Sequence, residues 1–240
     1  MSGNGKDAKA AGVKLQAGDG KLIIELSDLL PGDILLYKPS SAQLHQAAIS
    51  RSTNSPYTHA AIYVGDGEIA ESNVRSGVKK NPVEGILDGA EYVAVLRSQC
   101  GFGGDRPRLL TEFVDAVVKE ARFYDIATAA RFVAKSRKYF AAQLQFISDN
   151  YGKYSTTEEY ARKRFICSAF VVACYTVVGI IDSSAQVAYV PEHFSPGHLS
   201  TDSSFGWLLG YLVPEGVTVP NDDPCRFKGA WIDIGTEWWK

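Results

Sequence analysis

The chain has 240 residues, 25 basic against 27 acidic side chains for a net charge of -2, 45% hydrophobic residues and four cysteines. A chain of this length can bury a core without disulfide or metal staples, and the near-balanced charge removes the main drive for sequence-independent nucleic-acid binding. The cysteines, at 100, 167, 174 and 225, form no CxxC pair, so neither a structural zinc site nor an oxidising compartment is called for.

Residues 1–20 mix Lys, Asp and Gly with small residues and lack the apolar stretch of a secretory signal. They read as a flexible leader ahead of one domain over 21–240, with localisation open between the cytoplasm and export by a non-classical route. Residues 22–25 and 33–37 are short apolar runs on either side of the turn pair Pro31-Gly32 and read as strands or strand edges. Residues 40–52 suit a short surface helix that leaves His45 in solvent. Strand character returns at 58–64, 68–73 and 91–96, and Gly65-Asp66-Gly67 is a hairpin signal.

From Arg108 the texture becomes helical. Leu109, Leu110, Phe113, Val114, Val117 and Val118 recur at spacings of three and four, and residues 127–146 continue the pattern. Ser155 with Glu158, or Thr156 with Glu159, offers a capping box for another helix start. Residues 166–181 are mostly apolar and follow Arg162, Lys163 and Arg164. As a helix they cover about 24 Å, short of a hydrocarbon core of about 30 Å, and Ser168, Tyr175 and Thr176 interrupt them. They read as a buried core helix, with no transmembrane segment in the chain. Beyond Gly179 come loop signals and an apolar run at 205–213. Sheet pieces at both ends with helices between them predict one α+β domain.

The chemistry concentrates around one hairpin. If Asp66-Gly67 is a plain two-residue loop, Ile62 pairs with Glu71, and Glu71 lies on the face opposite His59. A three-residue bulged loop over 65–67 pairs Val64 with Glu68 and Ala61 with Glu71, which brings Glu71 onto the His59 face; Gly67 at the third loop position favours it. Asn73, directly opposite His59 in that register, is the rival orienting residue. A His with such a partner is half of a nucleophilic device. Cys167 is the candidate for the other half, because it stands where a polar, basic run gives way to an apolar helix, and a helix start lowers a thiol pKa. That argument requires a helix break near residues 164–165; a helix unbroken from 157 to 178 would bury Cys167 mid-helix. Cys174, seven residues on, reads as core packing, Cys100 and Cys225 as loop residues without a role, and His193 and His198 as structural.

The segments GDILLY, THAAIYVGDGEIAES, RFICSAFVVACY and SPGHLST, in that order, resemble the circularly permuted NlpC-like papain-fold hydrolases, particularly the YiiX-like branch. The resemblance spans roughly residues 30–205 and implies a papain-like antiparallel sheet packed on helices. It also implies Asp33 in the opening strand, His59 as base, Glu71 as third member and Cys167 as nucleophile, and it makes Tyr124, in the stretch FYDIATA, a substrate-pocket residue. Two features depart from the family pattern. Ala169 follows the Cys-Ser pair where Glu or Gly is common, and the helical insert between Tyr124 and Cys167 is long.

The expected function is therefore a cysteine hydrolase of amide bonds in peptidoglycan peptides or another peptide, acting through an acyl-enzyme with no metal or organic cofactor. A lipid acyl hydrolase, acyltransferase or thioesterase of the same fold is the first alternative, and a catalytically silent binding module the second. Polar lining of the cleft favours peptide, and an apolar channel favours lipid.

Overall fold

The computed structural model of the chain describes residues 22–41, 50, 54–74, 76–120, 122 and 126–230. The leader expected at 1–20, nearly all of the surface helix expected at 40–52, and Tyr124 lie outside the described residues.

The architecture is α+β. Six strands, β1 (Ile34–Pro39), β2 (His59–Gly65), β3 (Glu68–Asn73), β4 (Gly77–Pro82), β5 (Ala90–Arg97) and β6 (Trp207–Leu212), form one sheet in the order β4-β3-β2-β1-β5-β6, with every neighbouring pair antiparallel. Centrality explains the sequence of β1. Ile34 and Leu36 face the larger core, Leu35 faces a smaller cluster on the other side, and all three are fully buried, so ILLY reads as a continuous apolar run rather than an alternating one.

The larger core is closed by helices. In α1 (Arg106–Glu120), Leu110, Phe113, Val114 and Val117 recur at helical spacing and are buried against the sheet. The expected run over 127–146 is two helices, α2 (Ile126–Ala141) and α3 (Gln143–Asn150), because Ala142 departs from helical geometry (φ −133°, ψ 30°). Helix α4 (Thr157–Ala161) starts with the Thr156 and Glu159 register of the capping box. Helix α5 (Cys167–Val177) is buried over nearly its whole length and fills the centre of the core. Two short helices, α6 (Pro196–Thr201) and α7 (Pro224–Lys228), follow on either side of β6. No helix among the described residues is long and apolar enough to cross a membrane.

Two elements differ from the sequence reading. Residues 22–25 form no strand; Ile23 makes a single parallel bridge to Tyr211. Strand β4, with the sequence GVKKNP, was not expected. It is an edge strand, where lysines and a proline discourage pairing with other chains, and those same residues erase the apolar alternation by which a strand is recognised.

The C-terminal region ties the sheet to the segment that delivers His59. Asp223, 2% exposed, accepts hydrogen bonds from the hydroxyls of Tyr57, Tyr92 and Tyr211 at 2.7 Å each. Tyr57 precedes His59 by two residues, so this carboxylate fixes where β2 begins. Asp33 is also structural: Arg97 grips it through Nε at 2.8 Å and Nη2 at 2.6 Å, near the end of β1 remote from Tyr37, which pairs with His59.

Gly206 makes the tight entry to β6. Its φ is +92°, and a Cβ there would lie 2.5 Å from the carbonyl oxygen of Arg97. Gly206→Ala combines left-handed strain with a backbone collision and should destabilise the fold by about 2–4 kcal/mol. The check is a thermal melt, expected to fall by roughly 5–10 °C; an unchanged melt would contradict the packing described.

Candidate active site

The hairpin joining β2 and β3 combines both registers considered. The loop is the two-residue Asp66-Gly67, each with positive φ (51° and 75°), and Gly65 rather than Val64 stands opposite Glu68. The bulge lies one step back, between Tyr63 and Gly65, so Tyr63 pairs with Ile69 and Ala61 with Glu71. The expected Val64–Glu68 pairing is thus corrected, while the expected Ala61–Glu71 pairing holds. The physical reason is that Asp tolerates the left-handed conformation well enough to make a tight loop, and the extra residue moves into the strand. Glu71 shares a sheet face with His59.

His59 Nε2 lies 2.5 Å from Glu71 Oε2. The other carboxylate oxygen, Oε1, accepts a hydrogen bond from Asn81 Nδ2 at 2.8 Å, and Asn73 is near enough to help lower the Glu71 pKa. Asn73 therefore supports the carboxylate. Asn81 was missed in the sequence for the same reason as β4, which carries it. Tyr37, paired with His59 across β1 and β2, sets its ring edgewise on the imidazole at 5.1 Å between centroids. Strand pairing thus fixes the His59 ring from one side and its carboxylate partner from the other.

The helix break holds. The chain is extended at Ile166 (φ −74°, ψ 163°), and Cys167 is the first residue of α5. The Ser72 hydroxyl donates to the Phe165 carbonyl at 2.6 Å, and the Ser168 hydroxyl donates to the Phe194 carbonyl at 2.7 Å, so the helix start is pinned on both sides. Isoleucine is a poor N-cap, and Ile166 makes no side-chain capping bond to this helix. Its leading N–H groups and the positive end of its dipole are left to serve a thiolate or an oxyanion.

Cys167 and His59 are electrostatic neighbours, each shifting the pKa of the other. With Nε2 committed to Glu71, Nδ1 is the ring nitrogen left to exchange a proton with a nucleophile. Burial pushes the Cys167 thiol up, but the His59 cation and the backbone amides of Ala60 and Ser168 outweigh it and lower its pKa. Burial likewise disfavours the His59 imidazolium, yet the Cys167 thiolate and the Glu71 carboxylate prevail and raise its pKa. Glu71 is pushed up by burial and brought below its usual range by His59, Asn73 and Asn81. All three shifts favour thiolate, imidazolium and carboxylate together.

The other cysteines contrast with this one. Cys174 and Cys225 are fully buried, and burial drives both thiols up, helped at Cys225 by Asp223. Cys100 is exposed on its loop. His193 stacks on Tyr139 at 4.3 Å, and His198 caps α6 through Ser195. Among the described residues no group of three or more His, Cys, Asp or Glu side chains could hold a metal ion. The sequence matches no protein-family model, and no curated protein matches it.

Proposed function

We propose that the chain is a cysteine hydrolase of papain-like, circularly permuted NlpC-like architecture, cleaving a peptide amide through Cys167, His59 and Glu71. The observation that carries this reading is the juxtaposition of three groups: His59 hydrogen-bonded to Glu71, Cys167 near enough to His59 for each to shift the other's pKa, and that cysteine standing at the first residue of α5.

In the reaction, the Cys167 thiolate attacks the amide carbonyl carbon, and the carbonyl π electrons move to oxygen. The backbone N–H of Cys167 donates to that oxyanion. The His59 imidazolium gives its proton to the departing nitrogen as the C–N bond breaks, leaving a thioester on Cys167. Water then attacks the thioester while His59 takes its proton, and the thiolate leaves with the acid as product. Glu71 holds the ring in one orientation and compensates its charge throughout.

A peptide is favoured over a lipid chain because polar side chains surround the carboxylate end of the group. Asn73 and Asn81 contact Glu71, and Lys79 pairs with Glu71 across β3 and β4 and is exposed. The test is mass spectrometry of products from peptidoglycan fragments and from lipid extracts, with Cys167→Ala as control. New peptide termini made only by the wild-type chain support the reading. Fatty acid release alone would replace the substrate class, and no Cys167-dependent product from either would overturn the proposal.

A further inference from the structure

The helical insert carries a surface that the proposed chemistry does not use. On α2, Phe132, Ser136 and Tyr139 recur at i, i+4 and i+7 and form the buried face. The Tyr139 hydroxyl donates to the Ala188 carbonyl at 2.7 Å, and the Ser136 hydroxyl donates to the His193 carbonyl at 2.7 Å. One position back along the helix, Arg131, Lys135 and Lys138 recur at the same spacing and are exposed, and Arg137 is exposed beside them. No carboxylate among the described residues forms an ion pair with any of these four. Residues 131–154 hold five basic side chains against the single acid Asp149, in a chain whose net charge is -2.

The same stretch concentrates exposed apolar groups. Phe140 is 36% exposed, Leu144 85%, Tyr151 72% and Tyr154 65%, while only Ile23, Leu30 and Phe227 are comparable in the rest of the described chain. Unpartnered cations in one segment with protruding Leu and Tyr side chains match the two components of an anionic bilayer surface, its headgroup charge and its acyl boundary. A soluble polyanion would use the cations and leave Leu144 and the tyrosines without a purpose.

We infer that the insert formed by α2, α3 and the segment to Tyr154 docks the protein on anionic lipid bilayers, with the cations on phosphate headgroups and Leu144, Tyr151 and Tyr154 in the interface. The docked surface lies one layer from the nucleophile. Helix α2 packs on the 191–194 segment through Tyr139 on His193 and Phe140 on Phe194, and the Ser168 hydroxyl ties Phe194 to the start of α5.

The test is sedimentation of the full chain with vesicles of phosphatidylglycerol and phosphatidylcholine, or of phosphatidylcholine alone, at low and at 0.5 M salt. Binding is expected to the anionic vesicles only and should weaken with salt. Lys135→Glu with Lys138→Glu should weaken it at least about 25-fold, at about fivefold or more per cation. Leu144→Ala with Tyr151→Ala and Tyr154→Ala should weaken it at least about tenfold. Leu144→Ser alone, at a position too exposed to support the fold, should weaken it in the same direction and guards against misfolding of the triple variant. Absence of binding to anionic vesicles, or binding that the apolar substitutions leave unchanged and poly-glutamate competes away, would overturn the inference. Neither result depends on whether the chain cleaves amides.

Discussion

Cys167→Ala is expected to remove acyl transfer altogether, by a factor of about a thousand or more, while Cys174→Ala leaves it within a few fold. The two residues share one helix and one residue type, but their surroundings differ. Cys167 keeps 7% of its surface exposed and has its thiol pKa lowered by the neighbouring His59 cation and two backbone amides. Cys174 is fully buried, and burial pushes its thiol well up, into the range where almost no nucleophile exists at neutral pH. A generic acyl donor such as p-nitrophenyl acetate makes the comparison independent of the natural substrate. Wild type and Cys174→Ala should release a burst of one nitrophenolate per chain, and Cys167→Ala none. Since a buried Cys→Ala change removes volume, the melts of both variants belong beside the rates. A folded Cys167→Ala variant with an intact burst would move the nucleophile elsewhere.

The second large effect is expected at Glu71. Glu71→Gln keeps the size and one acceptor oxygen, turns the other into an amide donor, and removes the charge that helps hold His59 protonated. The wild-type pair is reactive above the lowered pKa of Cys167, and it loses the imidazolium that protonates the leaving group as pH rises through the raised pKa of His59. Removing the carboxylate lets the His59 pKa fall, so the alkaline limb of the profile moves to lower pH and the active window narrows from that side. The rate at neutral pH should drop about 10- to 100-fold. Asn73→Ala should do less, because Asn81 still donates to Glu71 Oε1. If Asn73→Ala were the inactive variant and Glu71→Gln an active one, Asn73 would be the orienting residue.

Legibility in the sequence followed how local each signal was. Helices α1 and α5 and strands β1 to β3 declared themselves because apolar spacing and turn residues lie within a few positions of one another. The break before Cys167 showed as a change from Arg162, Lys163 and Arg164 to a mostly apolar run, although only the extended backbone at Ile166 decided between a broken and a continuous helix. Glu71 was placed on the right face through the right pairing, but the bulge lay at residues 63–65 instead of in the loop. What stayed hidden was long-range. Strand β4 lacks alternation because it is an edge, and with it went Asn81. The Asp223 carboxylate lies 166 residues from Tyr57, a distance over which no spacing rule operates.

The measurement that bears most directly on the central claim is the pH dependence of iodoacetamide alkylation at Cys167, followed by peptide mass spectrometry, with exposed Cys100 as internal standard. A thiolate paired with the His59 imidazolium predicts a rate already on its plateau at pH 7, falling only on the acid side, and lost from that plateau in Glu71→Gln. A Cys167 rate that is slow at pH 7, climbs through pH 8–9 as an ordinary thiol does, and ignores the Glu71 substitution would contradict the account.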